Sequence, residues 1–281
     1  MKIARFGAIG AEKPGLVDAN GTIRDASAHI SDITPETIAS GEAGSLASID
    51  PTTLPEAPSG TRIGSPIART GHFIAIGLNY EDHAIESNLP IPDEPVVFSK
   101  APSCLVGPND DVVVPKGSTK LDWEVELAFV ISKEASYVSK EDALNHVFAY
   151  TICNDVSERA FQIEGTGQWI KGKSAPTFGP TGPFLATPDE IGAPGDLDMF
   201  LDVNGERMQS GNTKTMIFDV ATIISYLSEK MILLPGDLIT TGTPPGVGMG
   251  KNPPRYLNAG DVMTVGIQGL GEQTQNVKPL G

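Results

Sequence analysis

The sequence predicts a mostly β protein of the α+β class, and three observations carry that prediction. From His72 onward the apolar residues fall into short runs: FIAIGL, PVVFSK, DVVVP, WEVELAFVI, VFAYTICN, LDMFLDV, DLITTG and DVMTVGI. The runs have the length and alternation of strands and are separated by turn formers, of which the chain holds 31 Gly and 23 Pro. Helical periodicity is scarce, so the strands are expected to pack on one another as a sandwich or barrel.

Residues 1–68 read as a small N-terminal α+β domain. KIARFGAIG and KPGLVDANGTIRDAS resemble short strands, with Asn20-Gly21 as a type I′ hairpin turn. The polar stretch from Asp32 to Pro66 has room for two short helices. Residues 69–281 form the second domain, where Asn204-Gly205 marks another hairpin. Three helices are expected in it. Ser139 and Asp142 form a capping box before KEDALNHV, and Asp155 with Glu158 offers a second. In DVATIISYLSEKM, Val220, Ile223, Ile224, Leu227 and Met231 share one face, the pattern of an amphipathic helix.

Lys and Arg number 20 against 35 Asp and Glu, a formal charge of −15. That balance opposes a phosphate backbone or an anionic leaflet, so neither nucleic acid nor membrane is an expected partner. No apolar run approaches the length of a membrane span, and MKIARFGAIG lacks the features of a signal peptide, which points to the cytoplasm. Cys104 and Cys153 are too few for a disulfide framework and too far apart for a paired zinc motif, so both are expected to be buried apolar residues.

Within LDWEVELAFVI, alternate residues from Leu121 to Ile131 are all apolar, while the other face begins Asp122, Glu124, Glu126. Glu124 and Glu126 lie about 7 Å apart along a strand. Two carboxylates that close repel unless a positive group stands between them. A hard divalent cation is one solution and a solvated strand edge the bland alternative. Asp155, in YTICNDVSERAFQ, is a third candidate ligand or simply a helix N-cap. His83 and Glu86 share a face of a helical turn, as an acid-base dyad requires, though such pairs also occur on ordinary surfaces. GKSAPTFGPTGP, with Lys173, and TGTPPGVGMG are Gly/Pro-rich loops that could cradle an anion through backbone amides or serve only as turns.

Seven segments occur together in a recognisable order: GLNYEDHAIE, VVFSKAPSCLVGP, DWEVELAFVI, NDVSERAFQ, GKSAPTFGPTGP, NTKTMIFDVATIISYLS and LLPGDLITTGTPPGVG. Over roughly residues 70–278 the chain resembles the fumarylacetoacetate hydrolase family. The resemblance implies that family's mixed β-sandwich or β-roll as the catalytic domain. It implies Mg²⁺, with Mn²⁺ or Ca²⁺ as alternatives, on Glu124, Glu126 and Asp155, and catalytic roles for His83, Glu86, Lys173 and Gln162, the first two on a lid segment. Arg159, Thr243, Gly242 and Tyr80 are placed on the substrate side. Asp122 lies outside the E-x-E motif and is expected to stay solvated. Many members carry Asp where this chain has Pro176, which implies an altered loop shape. The implied activity is cleavage of a carbon-carbon bond in a 2,4-dioxo acid to pyruvate and a second acid. The ending resembles the branch acting on 2,4-diketo-3-deoxy sugar acids such as those from L-rhamnose or L-fucose. An oxaloacetate decarboxylase and, from another class, a non-catalytic metal-binding β-sandwich module remain open. A homodimer is also implied.

Overall fold

The computed structural model describes residues 1–86 and 90–281, apart from the side chains of residues 83 and 84. Its spine is an eleven-stranded sheet. The order runs Ile23–Asp25, Lys13–Val17, Lys2–Phe6, Gly179–Ala186, Val147–Asn154, Val125–Ile131, Leu238–Thr240, Phe73–Gly77 and Val96–Lys100, with Ile63–Gly64 and Leu105–Val106 attached beside that path. A five-stranded sheet runs Glu206–Asn212, Asp198–Val203, Val262–Ile267, Gly271–Lys278 and Val112–Val113. Ser157–Glu158 pairs with Leu121–Asp122 as a third, small sheet. The mostly β class holds, and each of the eight apolar runs contains a strand.

Val125–Ile131 lies between Val147–Asn154 and Leu238–Thr240, so both its edges are hydrogen-bonded. All seven of its residues are buried. Leu127, Phe129 and Ile131 pack on one face and Ala128 and Val130 on the other, which carries Glu126 into the interior with them. The first 25 residues extend the same sheet, because Lys2 and Ile3 pair with Ala186 and Leu185.

Helices follow their end signals. Val220–Lys230 begins at Asp219, whose carboxylate accepts from the Thr222 amide, and buries Val220, Ile223, Ile224 and Leu227. Met231 is only partly buried against the core. Pro35–Ala39 and Glu42–Ser45 are the two short helices expected in the N-terminal region. The Ser139–Asp142 contact forms, but it leads into a single 3₁₀ turn, Ala143–His146, rather than an α-helix. Asp155 is not a cap either: the helix Arg159–Ile163 starts at Glu158, whose side chain accepts from the Ala160 amide.

The two Asn-Gly turns differ. Asn204 and Gly205 both have positive φ, 54° and 78°, as a type I′ turn requires. At Asn20-Gly21 only the glycine does, at 81°, because the Asp18 carboxylate takes the Asn20 and Thr22 amides and closes a longer loop. Cys104 and Cys153 are free and buried. No helix among the described residues is long and apolar enough to cross a membrane.

Candidate active site

Glu124, Glu126 and Asp155 meet at one end of two paired strands. Glu124 lies at the break before the Val125–Ile131 strand, held by its amide donating to the Asn154 side chain. Asp155 follows Asn154 at the end of the neighbouring strand and donates its amide to the Glu124 carbonyl. One carboxylate oxygen from each of the three acids lies within 4.8 Å of the others, and all three residues are buried.

Cations crowd the cluster. The Lys173 ammonium is 2.7 Å from Glu124 and 2.8 Å from Asp155. Lys100, also buried, donates to Asp155 and to the Lys173 carbonyl. Arg159 lies 2.6 Å from Glu124 and donates through Nε to Asp122 at 2.8 Å. Burial alone would lower the Lys100 pKa, but the Asp155 carboxylate outweighs it and holds the amine charged. Burial of Arg159 is likewise outweighed by Glu124 and Asp122.

Glu126 is the exception among the acids. Its carboxylate accepts the Gly242 amide at 2.8 Å, and no cation pairs with it among the described residues. Burial first, then the Asp155 and Glu124 charges, push its carboxyl well above the ordinary range. Among the described residues, four buried acids of the cluster, counting Asp122, thus face three buried cations. The donor set is carboxylate oxygen throughout, the chemistry of Mg²⁺ or Mn²⁺, and the one acid left without a countercharge belongs to the triad; the residues fit a hard divalent cation.

Above the cluster lies a cavity of about 200 Å³. Glu124, Glu126, Arg159, Gln162, Lys173, Gly242 and Thr243 give it a polar side, and Ile76, Leu78, Phe98, Ile163, Trp169 and Met249 an apolar one. Trp169 packs edge-on against Phe98, with ring centres 5.2 Å apart. It sits where a Gly77 side chain would stand, since a Cβ there would fall 2.4 Å from the indole.

The cavity thus gathers Glu124, Glu126, Arg159, Gln162, Lys173, Gly242 and Thr243 from the candidates, with Asp155 beneath them. Gln162 accepts from Arg159 through Oε1 and has no partner at Nε2 among the described residues. Arg159 Nη2 has ion-pair contact with Glu124 but no aligned hydrogen bond, which leaves N–H capacity beside the cavity. The Thr243 hydroxyl donates to the Val125 carbonyl and accepts from Gln209, so it holds the loop on the strand. Glu86, on the helix Glu81–Glu86, accepts the Gly246 amide of that loop. His83 falls on the same helix, and its side chain lies outside the described residues, as do residues 87–89. Lys251 donates to the Met208 carbonyl and Arg255 to Glu206.

Two expectations need correction. Tyr80 is fully buried with its hydroxyl on the Met199 sulfur, and it does not line the cavity. Burial pushes that hydroxyl far above the usual tyrosine range. Asp122 is not solvated at all: it has no exposed surface and accepts from Arg159 and from the Gly248 and Met249 amides. Lys100, Phe98 and Trp169 were not among the candidates. The alternation of Val96, Phe98 and Lys100 on one face of PVVFSK was the available signal for the first two.

Residues 72–278 match the fumarylacetoacetate (FAA) hydrolase C-terminal family. The chain is 56% identical to the 2,4-didehydro-3-deoxy-L-rhamnonate hydrolase of Sphingomonas sp. (strain SKA58), over 99% of this chain and 96% of the relative. Among solved structures it is similar to the fumarylacetoacetate hydrolase of Exiguobacterium antarcticum, with a TM-score of 0.90, 38% identity and complete coverage of both chains. It is also similar to the maleylpyruvate hydrolase of Sphingobium sp. SYK-6, solved in complex with manganese (II) ion and pyruvate. There the TM-score is 0.83, the identity 29% and the coverage again complete.

Proposed function

The chain belongs to the fumarylacetoacetate hydrolase family, and on that premise we propose that it hydrolyses a 2,4-dioxo acid to pyruvate and a second carboxylic acid. The substrate we favour is a 2,4-diketo-3-deoxy sugar acid of the L-rhamnonate or L-fuconate kind, because of the 56% identity to a hydrolase of that class. The observation that carries the reading is the buried triad of Glu124, Glu126 and Asp155 under a cavity that also presents Arg159, Gln162 and Lys173.

The triad would hold Mg²⁺ or a similar divalent ion, which supplies Lewis-acid polarisation of a 2-oxo acid. His83, one turn before Glu86, is assigned as the base that takes a proton from water. The resulting hydroxide adds to the 4-oxo carbon, and Gln162 Nε2 stabilises the oxygen that becomes negative. As the carbonyl re-forms, the C3–C4 bond breaks and its electron pair passes to C3. The three-carbon fragment leaves as the enolate of pyruvate and takes up the proton removed from water. Lys173 and Arg159 offset the charge of the acid and of that enolate. The apolar wall of Trp169 and Phe98 excludes bulk water while this happens.

A panel assay of pyruvate release from diketo-deoxy sugar acids, other acylpyruvates and oxaloacetate, with Mg²⁺ and with EDTA, tests the reading. Mg²⁺-dependent release of pyruvate and a second acid is expected. Release of CO₂ from oxaloacetate as the dominant activity would replace this reading with a decarboxylase. A homodimer belongs to the same proposal, and light scattering at the 29.5 kDa monomer mass would refute it.

A further inference from the structure

We infer that Asp122 is a positioning residue that couples the docking of the Glu81–Glu86 helix to the orientation of Arg159 in the cavity. The inference rests on the function proposed above, since it concerns how that site is held together.

Asp122 is a fully buried carboxylate that faces two ways. On one side Oδ2 accepts Arg159 Nε at 2.8 Å, and the same guanidinium reaches Glu124 and the Gln162 side chain. On the other, Oδ1 accepts the Gly248 amide at 2.6 Å and Oδ2 the Met249 amide at 3.0 Å. Both amides belong to the loop that carries Gly246, whose own amide donates to the Glu86 carboxylate. Trp123 adds a second tie, its indole N–H donating to the Gly246 carbonyl at 3.2 Å. The loop is packed onto these anchors without slack: a Cβ at Gly248 would stand 2.7 Å from Asp122 Oδ1 and 2.0 Å from the Arg255 carbonyl.

A continuous path therefore runs from Glu86 through Gly246 to Gly248 and Met249, then through Asp122 to Arg159. A carboxylate is needed at the junction because both of its oxygens act only as acceptors and four N–H groups converge on it, the Trp123 amide included. An amide of the same shape would turn an NH₂ toward either the guanidinium or the loop, leaving one of them facing a donor. The path predicts that a disturbance at Glu86 reaches Arg159 through Asp122 and is weakened when Asp122 is replaced.

The test is a double-variant cycle in the full chain, comparing Asp122→Asn, Glu86→Gln and both together. Asp122→Asn should leave Mg²⁺ affinity by calorimetry within about threefold, because no triad acid is altered. It should weaken pyruvate binding in Mg²⁺ about tenfold and lower kcat/KM for pyruvate release about a hundredfold, losses of the size expected when a buried charged hydrogen bond is broken. The double variant should be no more than about threefold worse than the poorer single variant, since contacting members of one network are not additive. Losses that multiply, or unchanged pyruvate affinity in Asp122→Asn, overturn the inference and leave the proposed function standing. Full activity in Glu124→Gln would instead overturn the proposed function.

A fluorescence measurement covers the case in which Asp122→Asn does not fold. The chain has two tryptophans, so Trp169→Phe leaves Trp123 as the sole reporter of the loop. Adding Glu86→Gln to that background should shift Trp123 emission and reduce its response to pyruvate with Mg²⁺. Emission and response that ignore the Glu86 substitution overturn the coupling.

Discussion

Glu126 sets the proton chemistry of the site. In the metal-free chain burial, then the charges of Asp155 and Glu124, raise its pKa well above the ordinary value of 4.5. A carboxyl whose pKa is raised by folding holds its proton to higher pH in the folded chain than in the unfolded one, so Glu126 makes stability fall as pH rises above that ordinary value. Cation binding needs the ionised form and must expel the proton. Calorimetry of Mg²⁺ in buffers of different ionisation heat should show proton release and weaker affinity at pH 6 than at pH 8. Affinity and heat that do not vary with pH or buffer would refute this. Glu126→Gln should lose both the metal and the activity while its far-ultraviolet dichroism stays native. Lys173 answers to a different argument, because it bridges Glu124 and Asp155 at 2.7 and 2.8 Å. Lys173→Met should lower turnover by about a hundredfold or more if the ammonium offsets developing charge. It should also lower thermal stability in EDTA, where the two acids repel, and Mg²⁺ should restore most of that loss.

Elements place these side chains, and some of that placement is visible in the sequence. The eight apolar strands and the helix at 220–230 were legible because alternation marks the first and a shared apolar face the second; Asp219, the cap that the structure adds, gives a test, since Asp219→Ala should cost about 1 kcal/mol and leave kcat unchanged, as thermal melts and assays can verify. Gly179–Ala186, Glu206–Asn212 and Gly271–Lys278 were not legible. The first is GPTGPFLA, whose glycines and prolines read as a loop. In the third, Gln273 and Gln275 look solvated yet are fully buried, because backbone carbonyls of Ile152, Gly182 and Pro108 satisfy their amides. Asp122 was misread for the same reason: an acid is assigned to solvent when its partners, here Arg159 and residues 248–249, are remote in sequence. Gly77 shows the converse, a residue whose importance comes from what occupies its empty side. Gly77→Ala should displace Trp169 from the wall, raising KM more than it lowers kcat and shifting tryptophan emission to the red. An unchanged KM would show that the indole does not border the substrate.

For the whole molecule the charge balance at the centre decides what a cation does to stability. The chain carries a formal charge of −15, and its site buries Asp122, Glu124, Glu126 and Asp155 against Lys100, Arg159 and Lys173. Among the described residues that leaves one acid more than the cations, and a buried acid that stays protonated or goes unpaired costs free energy at neutral pH. A divalent ion removes that cost. Bound to the triad it would also tie the end of the Val125–Ile131 strand to Asp155, next to the end of its neighbour Val147–Asn154, in the middle of the large sheet. An ion that binds the folded chain alone, at a concentration a hundred times its dissociation constant, should add about 2.7 kcal/mol of stability. For a chain of this size that corresponds to a rise in Tm of about 5 °C or more. Differential scanning calorimetry with Mg²⁺ and with EDTA measures it directly. Glu126→Gln supplies the control, since it removes the group whose charge the ion balances. Its metal-free form should melt no lower than the metal-free parent, and Mg²⁺ should leave its Tm unchanged. A parent chain whose Tm ignores Mg²⁺ would mean that Lys173 and its neighbours already balance the acids, and that the triad is an internal ion-pair network instead of a metal centre.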